Sequence, residues 1–166
     1  MIPSKSFSDR ANEAAFWEAW VGSVLTRNGL TVTLHPFTVA TTEEEVRSHH
    51  HTFDLTVYGK TSVHEVEVKS LSRRFDSDPE SWGESKYATL CSQSSYVRKW
   101  GMQLLLRRHF LFVSRPTGDI LWVPRGVQVT LGATITDASR NETYNIAQVF
   151  TRDLRKLSDF VERARL

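Results

Sequence analysis

Residues 53–69 run FDLTVYGKTSVHEVEVK. Apolar and polar side chains alternate through this stretch and are interrupted once, by Gly59-Lys60-Thr61-Ser62, the pattern of a β-hairpin closed by a four-residue loop. One strand covers residues 53–58 and the return strand residues 63–70. If those four residues are the loop, Tyr58 faces Val63, Leu55 faces Val66 and Phe53 faces Val68. Strand side chains alternate faces, so Phe53, Leu55, Val57, Val66 and Val68 share one apolar face. The other face carries Asp54, Thr56, Glu65, Glu67 and Lys69, with Asp54 directly across from Glu67. Two facing carboxylates repel and weaken the strand pair. A register slip of one residue would turn them into the core instead, so the chain has no easy escape from the clash. A local rule broken in this way marks a functional site, and a divalent cation between the acids would remove the cost.

Working outward, residues 9–28 read as a helix. Ser8 or Asp9 caps it, Trp17, Trp20, Val21, Val24 and Leu25 recur at helical spacing, and Asn28-Gly29 ends it. Glu13 and Glu18 fall near opposite edges of that apolar stripe. A short strand over 30–34 precedes a polar loop, 41–51, holding Glu43-Glu44-Glu45 and His49-His50-His51. Beyond Lys69, residues 71–85 are polar and turn-rich and read as a mobile loop at the mouth of a site. A strand is expected over 87–91 and a second helix over 94–108, with Tyr96, Val97, Trp100, Leu104 and Leu105 inward and Gly101 as its weak point. Residues 110–114 and 120–123 flank Pro116-Thr117-Gly118-Asp119 as a second hairpin. Weaker strand patterns lie over 127–131, 134–136 and 144–147. A closing helix from Thr151 buries Leu154, Leu157, Phe160, Val161 and Ala164.

The chain of 166 residues is the size of one domain. Its apolar runs are far shorter than a membrane span, and its polar beginning lacks the hydrophobic segment of a signal peptide. A single cysteine, Cys91, excludes an internal disulfide framework and fits a reducing, cytoplasmic setting. The sequon Asn141-Glu142-Thr143 is expected to be accidental, since no secretory route is expected. Net charge is only +2, but residues 1–90 hold nine basic against thirteen acidic side chains, and residues 91–166 twelve against six. A metal-attracting half joined to a phosphate-attracting half suits an enzyme that cuts phosphodiesters. An uneven scatter of surface charge gives the same count.

An Asp on one strand followed by Glu-Val-Lys on its neighbour resembles the PD-(D/E)xK nuclease superfamily. The order helix, strand, hairpin, helix, strand is similar to that superfamily's core over roughly residues 9–123. Phe53 stands where the motif's name places a proline. Glu18, eleven residues before Gly29, resembles the helix glutamate of archaeal Holliday-junction resolvases, as does the spacing of Asp54 from Glu67. The resemblance implies an α/β restriction-endonuclease-like fold, a mixed sheet flanked by helices on both faces, with C-terminal strands and a helix added. It implies Asp54 and Glu67 as Mg²⁺ ligands, with Mn²⁺ a substitute and the Val68 carbonyl joining them. Lys69 would orient the attacking water and offset transition-state charge. Glu18 would assist as the helix carboxylate, with Glu13 as the fallback.

For substrate contact the candidates are Arg73 and Arg74 after Lys69, then Arg98 and Lys99 on the second helix. These would hold phosphates without reading bases, and ordinary surface charge is the rival account. Trp82 would stack on an unpaired base or cap the core. His64, on the apolar side opposite Val57, reads as a core histidine; His35 precedes Pro36 in a turn; Cys91 reads as a buried thiol. Gln93-Ser-Ser-Tyr96 is one residue short of the Gln-x-x-x-Tyr motif of helicase-linked nucleases. The expected activity is metal-dependent DNA cleavage, phage- or mobile-element-encoded, resolving junctions as a homodimer or nicking and trimming ends, with a phage or host protein partner. Two alternatives stand beside it: a catalytically silent nucleic-acid-binding module on the same fold, and a structural phage component whose hairpin charges are merely solvated.

Overall fold

A computed structural model describes residues 7–35 and 53–166. The polar loop with Glu43-Glu44-Glu45 and His49-His50-His51 lies outside the described residues. The chain begins with helix α1 (Phe7–Arg27), strand β1 (Thr31–Leu34), and the hairpin β2 (Leu55–Tyr58) and β3 (Val63–Leu71). Strand β4 (Tyr87–Ser92) leads into helix α2 (Gln93–Trp100), then β5 (His109–Ser114) and β6 (Ile120–Val123). A long hairpin, β7 (Val129–Asp137) and β8 (Glu142–Phe150), is followed by the short β9 (Arg155–Lys156) and helix α3 (Leu157–Ala164).

A six-stranded mixed sheet in the order β1-β2-β3-β5-β6-β9 forms the centre. Its β3–β5 pair is parallel and its other pairs are antiparallel. A three-stranded antiparallel sheet, β4-β8-β7, stands apart from it. The register expected for the hairpin holds: Tyr58 pairs with Val63 and Leu55 with Val66. Strand β5 is buried on both faces, and its alternation divides the core in two. Leu111 and Val113 face Val21, Leu25, Phe160 and Val161 of α1 and α3. Phe110 and Phe112 face Leu90, Tyr96, Ala147 and Val149 of the smaller sheet and α2. The architecture is therefore α1 and α3 on one face of the mixed sheet and α2 on the other, where a second sheet supplies most of the cover. That second cover explains why Thr56 and Glu67, on the hairpin's polar side, are buried.

Several local expectations change. Helix α2 stops at Trp100 because Gly101, at φ 74°, takes a left-handed turn and returns its N–H to the Val97 carbonyl. Leu104 and Leu105 thereby leave the core and become exposed. The segment after β3 is a bonded turn rather than a loose loop. Its 3₁₀ turn Pro79–Trp82 is capped by Asp78, and Phe75 and Trp82 enter the core. Trp82 stacks on Phe75 and Phe112, so the base-stacking role is corrected in favour of the core. Trp20 is not interior; its indole N–H donates to the Gly118 carbonyl at 2.9 Å. The closing helix starts at Leu157, because a 3₁₀ turn and β9 intervene. Leu154 therefore packs in the core opposite from that of Phe160. No helix among the described residues is long and apolar enough to cross a membrane.

Candidate active site

The hairpin supplies the acids. The strand ladder ends at Leu55, and Asp54 bends away from it while remaining held at three points. Its N–H donates to the Val66 carbonyl at 3.1 Å, and its carbonyl accepts from the His35 N–H at 2.9 Å. Its carboxylate Oδ2 accepts the Val68 N–H at 2.7 Å, substituting for a main-chain carbonyl of the missing ladder rung. Glu67, on the adjoining strand, lies close enough to Asp54 for the two carboxyl groups to perturb each other's titration. The two carboxyl groups predicted to oppose each other do meet.

Burial dominates their electrostatics. It raises the Asp54 pKa, against the Val68 hydrogen bond and the Lys99 and Arg108 charges. It pushes Glu67 up to about 7, helped by Asp54 and opposed by Lys99. Glu18, half-buried on α1, is pushed up to about 8 by burial and then by repulsion from Asp54 and Glu67. Three carboxyl groups from three elements thus sense one another. Loss of hydration is the first cause of all three shifts, and mutual repulsion adds to it for Glu18 and Glu67. Glu13, the fallback for the helix role, lies instead 3.5 Å from Arg115 Nη1.

The cations are arranged differently from the sequence expectation. Lys69 shares the face of Glu67, but its ammonium makes no hydrogen bond or ion pair with a described residue. Burial lowers its pKa, and the neighbouring Cys91 thiol is its resolved electrostatic partner. Burial likewise raises the Cys91 thiol. Lys99, expected to hold phosphates, places Nζ 2.8 Å from Glu67 Oε1. Arg108 bonds Glu65 Oε2 through Nε at 2.8 Å, lies 3.6 Å from Glu67 through Nη1, and covers the Phe53 ring at 4.9 Å.

Of the remaining phosphate candidates, Arg73 is committed to structure. It bonds the Trp82 carbonyl and lies over the Trp82 ring. Arg74 is exposed. Arg98 is exposed and lines a cleft of about 470 Å³ together with Lys99, Arg107, Arg108 and one acid, Glu65.

Arg108 was missed in the sequence although β3 and β5 pair in parallel with Val66 beside His109, which sets Arg108 beside Glu65. Gln93 and Tyr96 also gain weight: Gln93 Oε1 and Tyr96 Oη are buried with no hydrogen-bond partner among the described residues, on the helix that carries Lys99.

Away from these groups, His64 and His109 form a buried relay. Trp122 Nε1–H and the Arg125 N–H both donate to His109 Nδ1, at 3.1 and 3.2 Å. The His109 proton therefore sits on Nε2 and points to His64 Nδ1 at 3.3 Å; His64 in turn donates from Nε2 to Ser62 Oγ at 2.9 Å. Both rings are neutral, as expected of core histidines. Burial lowers both pKa values, that of His109 to about 3.

Among the described residues no three His, Cys, Asp or Glu side chains form a complete metal-binding group. Mg²⁺ does not demand one. It is commonly held by one or two carboxylates, with water and substrate phosphate completing the shell. Asp54 and Glu67, neighbouring carboxylates, are donors of the hard-oxygen type that requirement names, although Glu67 Oε1 already holds Lys99. No protein-family model, functionally characterised protein or solved structure matches this chain.

Proposed function

We propose that the protein is a metal-dependent DNA endonuclease with a restriction-endonuclease-like core, hydrolysing phosphodiester bonds. The observation that carries this reading is the Asp54–Glu67 pair, a half-buried carboxyl group just before β2 beside a buried one on β3, with the Glu18 carboxyl within electrostatic reach. Two carboxyl groups held this close weaken a fold unless protons or cations compensate them, and of the two it is Glu67 that Lys99 and Arg108 reach. Asp54, Glu67 and the Val68 carbonyl would hold Mg²⁺ or Mn²⁺. When bound, the ion supplies Lewis-acid polarisation of the scissile phosphate.

The chain's own groups do the rest. Asp54, fixed by His35, Val66 and Val68, needs no reordering to act. Glu18, within electrostatic reach of Asp54 and Glu67, would orient the attacking water or help a second cation. Lys69 is the motif's amine for orienting that water, and Lys99 and Arg108 offset charge gathering on the phosphate oxygens. Arg98 and Arg107, lining the adjoining cleft, receive neighbouring backbone phosphates.

The test is incubation with labelled duplex, branched and single-stranded DNA in Mg²⁺ or Mn²⁺. Cleavage by the wild type, abolished in Asp54→Asn with binding retained, is expected. Absence of cleavage of every substrate sinks the reading. A catalytically silent nucleic-acid-binding module is the second reading, and the Lys99–Glu67 ion pair favours it, because an internal ammonium there takes a cation's place. Salt-dependent DNA binding without cutting would select it.

A further inference from the structure

Helix α2 ends at Gly101, and the eight residues that lead to β5 present three large apolar side chains to solvent. Met102 is 67% exposed, Leu104 58% and Leu105 56%. Their backbone is not slack. The Leu104 carbonyl accepts from Val129 N–H at 2.7 Å, Leu106 N–H donates to Val127 at 3.0 Å, and the Leu106 carbonyl accepts from Gly126 N–H at 2.7 Å. Leu106, between the exposed leucines and Arg107, is buried. The fold therefore holds these side chains outward on a fixed support and forgoes the stabilisation that burying them would bring. Beside them lies the cleft lined by Arg98, Lys99, Arg107 and Arg108, which reaches Glu67 through Lys99 and Arg108.

We infer that residues 102–105 form an apolar wedge that enters a base step of duplex DNA while the arginines of the cleft hold the flanking phosphates. This rests on the nuclease reading and names how its substrate is gripped. Apolar wedges of Met and Leu unstack base steps where neighbouring cations anchor the backbone, and that pairing of chemistries is what this rim offers. A second copy of the chain suits it poorly, since a two-fold contact centred on this loop would bring Arg98 and Arg107 toward their own copies.

The experiment uses a short duplex carrying 2-aminopurine at its centre, with divalent ions chelated. Wild-type binding should raise the probe's fluorescence as its neighbours unstack. The variant Met102→Ser/Leu104→Ser/Leu105→Ser should bind paired duplex roughly tenfold more weakly without the rise, yet bind a duplex with a central mismatch within about twofold of wild type, because that step is already open. Its melting temperature should be unchanged, and Met102→Ser alone should show a partial effect. Arg98→Gln should instead weaken binding to both duplexes alike and flatten the salt dependence.

A fluorescence rise and affinity equal to wild type in the triple variant overturn the wedge while leaving the nuclease reading intact. So does an equal loss on paired and mismatched duplexes, or a dimer in the wild type that the triple variant dissolves in sedimentation. Binding to anionic vesicles but not to DNA overturns both.

Discussion

The ammonium of Lys99 lies 2.8 Å from Oε1 of Glu67, so α2 reaches across to neutralise a carboxylate whose own strand carries Lys69 two residues away. Two amines thus border the site in different states. Lys99 is hydrogen-bonded and partly exposed, whereas Lys69 is half-buried beside Cys91.

Lys99→Met removes the ion pair. Unfolded Glu67 titrates near 4.5 and folded Glu67 near 7, so its favourable contribution is complete below 4.5 and is lost as pH rises through 7. Without Lys99 that loss deepens. Urea denaturation should show the variant about 1–2 kcal/mol less stable than wild type at pH 8, allowing for the partial exposure of Lys99, and nearly equal to it at pH 5.

Lys69→Met should act in the opposite sense on stability. A half-buried amine with no bonded partner among the described residues is replaced by an apolar chain of similar length, which should raise the melting midpoint by the equivalent of roughly 1 kcal/mol at neutral pH. Cleavage should fall at least a hundredfold if this amine orients the attacking water. Wild-type cleavage by the variant would transfer that role to Lys99.

Glu18→Gln is expected to separate stability from activity. With its folded pKa raised to about 8, Glu18 favours the folded state below 4.5 and loses that contribution as pH rises through 8. The amide carries no such loss. The variant should gain roughly 1 kcal/mol over wild type at pH 9, after discounting for solvent screening, and little at pH 5. Its cleavage rate should drop, and by more than that of Glu13→Gln, because Glu13 sits on Arg115.

The histidine relay gives an acid limb to the stability profile. The folded pKa of His109 is depressed to about 3, so its contribution is whole above 6.5 and is lost as pH falls toward 3. His109→Phe leaves the Trp122 and Arg125 N–H donors without their acceptor and should cost about 2–4 kcal/mol at pH 7. Chemical denaturation from pH 7 down to pH 4 should show the gap to wild type narrowing, since the variant lacks that titration.

What was legible in the sequence was what alternation and turn chemistry encode over a few residues. The hairpin, its register and the meeting of Asp54 with Glu67 all follow from residues 53–69, because a two-residue period and one loop leave a single consistent pairing. Position along α1 likewise set Glu18 toward the acids. The cations were illegible for a physical reason. Arg108 meets Glu65 and Glu67 only through the parallel pairing of β3 with β5, whose strands lie almost forty residues apart, and no local period records such a partner. Leu104 and Leu105 continue a helical pattern on paper, yet one left-handed glycine ends the helix before reaching them. The smaller sheet was visible only as fragments, because bulges at Leu131/Ala133 and Thr89/Cys91 break the alternation of its strands.

The parallel β3–β5 pairing also sets a timetable. A hairpin such as β2–β3 closes within microseconds, whereas closing the crossover that delivers Lys99 and Arg108 requires a far longer stretch of chain to be in place. The nascent chain would therefore hold its carboxyl groups together before any counter-charge arrives. Protons are the natural stand-in during that interval, so refolding should run faster in mild acid than in mild alkali, with the last kinetic step marking the arrival of α2 over Glu67.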